Sequence, residues 1–136
     1  MNMNDNERIQ VIRHEPIVVV ELLCTHLLDE MVIHRVQDDL MAVIRGETPP
    51  LLVLSFASVR YLSSMTLRML LNLRQEVLQA KGQMRLAAIG PEIREVFSTT
   101  RLDSLFQIHA STEEAVLKMQ HWLRLIKGSS APMPTS

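Results

Sequence analysis

Along the chain the spacing of hydrophobic positions changes several times, and each change marks an element. Arg8 to His14 and Pro16 to Cys24 are rich in Val, Ile and Leu, with His14-Glu15-Pro16 as turn chemistry between them. They read as a pair of strands, the second the more buried. From Asp29, a helix-capping residue type, apolar positions recur three and four apart: Met31 or Ile33, then Val36, Leu40, Val43 and Ile44. Gly46 and Pro49-Pro50 stop that helix. Leu51-Leu52-Val53-Leu54 is a continuous apolar run, as in a central strand whose sheet is covered on both faces.

After Tyr61-Leu62-Ser63-Ser64 comes a second helical stripe, Leu67, Leu70, Leu71, Val77 and Leu78, closed by Lys81 and Gly82. Met84, Leu86 and Ala88 alternate with Arg85, Ala87 and Ile89 in the next strand, and Gly90-Pro91 opens a helix with Ile93, Val96 and Phe97 inward. Phe106 to His109 reads as a short last strand, and Ser111-Thr112-Glu113-Glu114 as a capping box that starts a helix from Ala115 to Ile126. This alternation, with short linkers, predicts an α/β fold: one domain with a four- or five-stranded mixed sheet and about four helices. Residues 1–7 are expected to be a flexible N-terminus, 8–127 the domain, and 128–136 a polar, proline-containing tail that cannot pack.

Composition removes function classes rather than naming one. Fourteen basic and fifteen acidic side chains leave a formal charge of −1, so no net field draws the protein to nucleic acid or an anionic membrane. The opening MNMNDNER lacks the basic and apolar regions of a secretory signal, and no apolar run approaches the roughly 18 residues of a membrane span. Cys24 is the single cysteine, which excludes an internal disulfide and suits a reducing compartment. The expected location is cytoplasmic.

Enzyme chemistry finds little to build on. The five histidines, at 14, 26, 34, 109 and 121, include no pair at the spacing that puts two imidazoles on one helix face. His34 and Asp38 share a face, but two ligands are too few, so no metal is assigned. No G-x-S-x-G elbow surrounds a serine, Cys24 lies in an apolar run that disfavours its thiolate, and the glycines form no phosphate-binding loop. Asp38-Asp39 and Glu113-Glu114 are adjacent on helices and point apart, poor geometry for an acid and base pair. No enzyme activity and no cofactor are expected. Met65 and Met69, one turn apart, are an adaptable apolar surface or, by the more common rule, core. Arg60, Arg68 and Arg74 read as a solvated face rather than a phosphate clamp.

Ser63 and Ser64 lie where a strand gives way to a helix, the edge at which open α/β sheets engage ligands and partners. A hydroxyl there can cap the helix, or accept a phosphate that the free amides and positive dipole end would hold.

The order Leu51 to Leu54, Val59-Arg60-Tyr61-Leu62-Ser63-Ser64, a leucine-rich helix, Lys81-Gly82, the strand Met84 to Ile89, and Pro91 to Phe97 before Leu102 and Phe106 resembles a STAS domain, the fold of bacterial anti-sigma factor antagonists. The resemblance runs from about Arg8 to Leu125. Members typically carry Asp-Ser-Ser-Gly at the turn, the first serine being phosphorylated by a partner kinase. Ser63 matches that serine and Ser64 the next, with Leu62 where the family has Asp and Met65 where it has Gly. The resemblance implies a non-enzymatic regulator that docks an anti-sigma factor of serine-kinase type and is switched by phosphorylation of Ser63, with Ser64 and Thr66 as secondary acceptors. Leu62, Met65, Arg68 and Met69 would form the docking surface of a monomer or weak homodimer. The alternatives are an unphosphorylated STAS scaffold subunit in a larger signalling assembly, bound to other STAS domains, and a small-ligand or nucleotide sensor.

Overall fold

The computed structural model describes residues 8–130, with side chains through 126. Two antiparallel strands, β1 (Ile9–His14) and β2 (Ile17–Leu22), lead into a two-residue strand β3 (His26–Leu27) and helix α1 (Glu30–Arg45). Then follow β4 (Leu51–Ser55), a second two-residue strand β5 (Tyr61–Leu62), α2 (Ser64–Gln79), β6 (Gln83–Ala87), α3 (Pro91–Thr99), a 3-10 turn (Leu102–Ser104), β7 (Gln107–His109) and α4 (Thr112–Ser130). The main sheet has five strands in the order β1-β2-β4-β6-β7, all parallel except the β1-β2 pair. With four α-helices, this is the mixed α/β architecture that the hydrophobic pattern predicts.

The period of two along the strands splits the core between the faces of the sheet. Val18, Val20 and Leu22 of β2, Leu52 and Leu54 of β4, and Met84 and Leu86 of β6 face α1, α2 and α3. The alternate residues Ile17, Val19, Leu51, Val53 and Ala87 face α4 through Ala115, Val116 and Met119. Phe97 sits between Phe56 and Phe106 in two edge-to-face contacts, centroids 6.5 and 6.1 Å apart, which anchor α3 to the end of the sheet.

Local signals explain most boundaries. Asp29 Oδ1 accepts from the amides of Met31 (2.8 Å) and Val32 (3.2 Å), and α1 buries Ile33, Val36, Leu40 and Ile44. Ile33, not Met31, is therefore the inward position of its first turn. In α2 the stripe is Thr66, Leu67, Met69, Leu70, Leu73 and Val77, whereas Leu71 and Leu78, expected inward, are exposed. The end of α2 divides its labour unexpectedly: Lys81 takes the left-handed conformation (φ 63°), and the neighbouring glycine answers a different need. A Cβ at Gly82 would lie 2.0 Å from the Pro50 carbonyl oxygen, and only glycine admits that approach of β6 to β4. The last helix runs to Ser130, past the expected stop at Ile126, because a lone Gly128 weakens a helix without ending it. Of the expected tail 128–136, residues 128–130 are therefore helical, and residues 131–136, like the expected flexible N-terminus 1–7, lie outside the described residues.

Candidate functional site

The serine turn is held by a ribbon too short to leave a pattern in the sequence. Between β4 and α2 the chain crosses an eight-residue connection, Phe56 to Ser63, rather than turning at once. Its last residues pair in parallel with β3, Tyr61 opposite His26 and Leu62 opposite Leu27. The His26 and Tyr61 rings stack with centroids 4.8 Å apart. The Thr25 carbonyl accepts from the amides of Arg60 (2.8 Å) and Tyr61 (3.1 Å), and the Leu27 carbonyl from the Ser63 amide (3.2 Å). The turn thus hangs on β3 as a continuation of that small ladder.

Ser63 is the N-cap of α2. Its backbone is extended, its Oγ accepts from the Thr66 amide at 3.4 Å, and its amide also donates to Thr66 Oγ1 at 3.4 Å, a reciprocal box. Thr66 is fully buried, and its hydroxyl donates to the Leu27 carbonyl at 2.7 Å, the shortest bond of the cluster. Ser63 Oγ and Thr66 Oγ1 lie 3.5 Å apart. Ser63 is half-buried, while Ser64, the first residue of the helix, is exposed. The amides of Ser64 and Met65, at the first two helical positions, have no intrahelical acceptor, so the positive end of the helix opens beside the Ser64 side chain.

Burial sorts the residues expected at this site. Leu62 and Met65 are half-buried and Arg68 is exposed, so these three border the turn. Two other residues of the expected site lie inside the fold. Met69 is only 1% exposed and packs in the core, in keeping with the common rule for methionine at helical spacing. Thr66 is fully buried and its hydroxyl proton is engaged on a backbone carbonyl. Arg74 is held by a 3.0 Å bond from its Nε to the Leu105 carbonyl, whereas Arg60 and Arg68 are exposed near the turn. Leu28, Met31 and Tyr61 add exposed apolar surface (49%, 65% and 55%): Met31 reads in the sequence as one option for the inward stripe of α1, while Leu28 and Tyr61 belong to no period. Leu28, Tyr61, Leu62, Ile93 and Val96 line a groove of about 230 Å³ with Arg60 and Glu92 at its margin. That is below the few hundred Å³ usual for a small-ligand pocket.

A second polar cluster lies under α4. Arg85 of β6 is 8% exposed and gives one Nη to His109 Nε2 at 3.1 Å. A guanidinium can only donate, so His109 carries its proton on Nδ1, which faces Glu114 Oε2 at 3.7 Å. Burial, and then the Arg85 cation, push the His109 pKa down, with Lys118 adding to the fall and Glu114 opposing it. Arg85 Nε is buried with no hydrogen-bond partner. Ser111 caps α4 through the Glu114 amide (3.1 Å), while the Glu114 carboxylate, expected in a capping box, turns to His109 instead. Cys24 is half-buried; burial pushes its thiol pKa up and nearby Arg8 opposes this. Among the described residues no three His, Cys, Asp or Glu side chains come together as a metal site, and no helix is long and apolar enough to cross a membrane.

Comparison with known proteins bears on the family and the fold. No curated protein matches the chain. Solved structures share the fold: an anti-sigma-factor antagonist (STAS) domain protein from Planctomyces limnophilus superposes with a TM-score of 0.73 at 18% identity, covering 82% of this chain and 97% of that one. An anti-sigma factor antagonist from Mycobacterium paratuberculosis gives 0.72 at 23% identity, over 82% and 92% of the two chains. The Bacillus cell fate determinant SpoIIAA in its phosphorylated form gives 0.62 at 21% identity, over 82% and 98%. The STAS domain family model matches residues 8–115, every strand of the β-sheet and the helices on its three-helix face, and the chain belongs to the STAS domain family.

Proposed function

We propose that this protein is a non-enzymatic, cytoplasmic regulator of the anti-sigma factor antagonist type, which docks a serine-kinase anti-sigma factor through the serine turn and is released by phosphorylation there. The observation that carries this reading is the turn itself: an exposed hydroxyl, Ser64, at the open N-terminus of α2, bordered by Leu62, Met65, Arg68 and the exposed Leu28 and Tyr61. A partner covering that border would bury Ser64. A phosphate on Ser64 adds about −1.5 to −2 charges, tolerated by the free protein at a helix N-terminus but costly to desolvate under a partner.

The acceptor in this reading is Ser64 rather than Ser63, which is occupied as the cap. Shifted by one residue, the family's Asp-Ser-Ser-Gly falls on Ser63-Ser64-Met65-Thr66, which puts its Asp on the N-cap, a position that favours Asp and Ser alike. The groove beside the turn is small for a metabolite, so the sensor alternative draws less support.

The test is affinity recovery of wild-type, Ser64→Ala and Ser64→Asp proteins from the host, with mass spectrometry of what co-purifies. An anti-sigma factor kinase held by wild type and Ser64→Ala, and at least ~10-fold depleted with Ser64→Asp, is expected. Equal recovery on all three would refute the switch, and recovery of STAS proteins alone would favour the scaffold role.

A further inference from the structure

We infer that Thr66 selects which serine of the turn can carry a modification: its buried hydroxyl holds Ser63 as the cap and leaves Ser64 free. This deepens the reading above by naming a positioning residue inside the turn, and it follows from counting protons. Thr66 has one hydroxyl proton, and the 2.7 Å bond assigns it to the Leu27 carbonyl. Only lone pairs of Thr66 Oγ1 are left to face Ser63. In the 3.5 Å contact between the two hydroxyls the donor is therefore Ser63, while the Ser63 oxygen accepts from the Thr66 amide at 3.4 Å. The Ser63 hydroxyl is used in both directions, donor and acceptor, by one residue.

Phosphoryl transfer from a nucleoside triphosphate forms a new O–P bond at the serine oxygen, breaks the bond to the departing nucleoside diphosphate, and releases the hydroxyl proton to a base. At Ser63 the lost proton is the one that Thr66 Oγ1 receives, and the dianion that replaces it would press against an oxygen with no proton to offer. Rotating the Thr66 hydroxyl to meet the phosphate would give up its 2.7 Å bond and leave the carbonyl of the fully buried Leu27 with only the 3.2 Å bond from the Ser63 amide. At Ser64 none of these bonds is touched, and the new charge meets unfilled first-turn amides. A valine at 66 would fill the same space without a hydroxyl and so remove the discrimination. A serine would keep it.

The experiment needs neither kinase nor partner. Phosphoserine is incorporated during translation at position 63 or at position 64 of the full-length chain, in wild-type, Thr66→Val and Thr66→Ser backgrounds. Thermal midpoints are compared near neutral pH, where the phosphate is mostly dianionic. In wild type, phosphate at 64 should leave the midpoint unchanged or raised, and phosphate at 63 should lower it by about 5 °C or more. That gap should persist in Thr66→Ser and shrink to about half or less in Thr66→Val. A merely structural Thr66 would lower every Thr66→Val midpoint equally and leave the gap intact, which would overturn the inference. So would a wild-type protein in which phosphate at 63 costs no more than at 64. Amide hydrogen exchange keeps the test open should Thr66→Val fail to fold. Phosphate at 63 of wild type must strip protection from the Ser63 and Thr66 amides while phosphate at 64 leaves it, and equal protection refutes the role of Thr66. A turn never phosphorylated in cells would sink the proposed function without altering these outcomes.

Discussion

Among the described residues, two buried polar clusters, one on each side of the sheet, are built on opposite rules. At the serine turn, Leu27, Ser63 and Thr66 form a neutral network in which the Thr66 hydroxyl and both partners of the box are engaged. Under α4, Arg85, His109 and Glu114 form a charged chain with an unpartnered Arg85 Nε. The charged cluster is the more conspicuous, yet it joins β6 and β7 to the start of α4 and borders no exposed hydroxyl. The quieter neutral network holds a turn with exposed apolar neighbours, Leu28 and Tyr61, and the exposed Ser64 at the start of α2. A satisfied neutral network fixes geometry at small cost, whereas a buried charge demands compensation from everything near it.

Breaking the charged side should have the larger effect on stability. His109→Leu leaves the buried Arg85 guanidinium without its acceptor and is expected to cost about 1–3 kcal/mol in chemical denaturation. Arg85→Met removes the charge itself and should stay within about 1 kcal/mol of wild type, because exchanging a buried ion for an apolar side chain of similar volume is often neutral. If Arg85→Met proved much the worse of the two, the cluster would be a net stabiliser and the contrast would fail.

On the neutral side the two serines should separate. Ser63→Ala loses the N-cap and should destabilise by about 1 kcal/mol, while Ser64→Ala, on an exposed hydroxyl, should stay within about 0.5 kcal/mol. Equal losses would mean that Ser63 is not the cap.

The subtlest effect is the response to acid. His109 has its folded pKa lowered by burial and by Arg85, so the unfolded chain, with a histidine near 6.5, binds the proton more readily. The sign follows from linkage: stability is fully present above about pH 6.5 and falls as the pH drops from there through the lower folded pKa. The loss should be gentler in His109→Gln, read as the slope of unfolding free energy between about pH 7 and 5. The serine turn contributes no such slope, since neither hydroxyl titrates in this range. An identical slope in both proteins would remove His109 from the account.

How much of this was legible in the sequence depended on how local its cause was. The central strand, the Asp29 cap, the Pro91 start of α3 and the mixed sheet follow from neighbouring residues, and all appear in the structure. Leu71 and Leu78 were misplaced because a leucine-rich helix offers more than one plausible stripe, and Met69 and Leu73 take the inward positions instead. Thr66 was expected within reach of a kinase because nothing local says that β3 lies across the first turn of α2. For Met69 the common rule that methionine at helical spacing is core agrees with the structure, and only the docking reading put it at the surface. A two-residue strand has no period to detect, and the bond from Thr66 to Leu27 spans 39 residues. The serine pair was visible as a candidate, but which serine is the cap is a matter of backbone geometry.

The central claim is that Ser64 is the hydroxyl through which partner docking is controlled, and phosphosite mapping of the intact protein recovered from its host tests it most directly. A fraction of molecules with a single phosphate, localised to Ser64 by fragmentation, is expected, and that fraction should be absent from the partner-bound pool. Phosphate on Ser63 instead, or phosphate on Ser64 equally abundant in the bound pool, would contradict it.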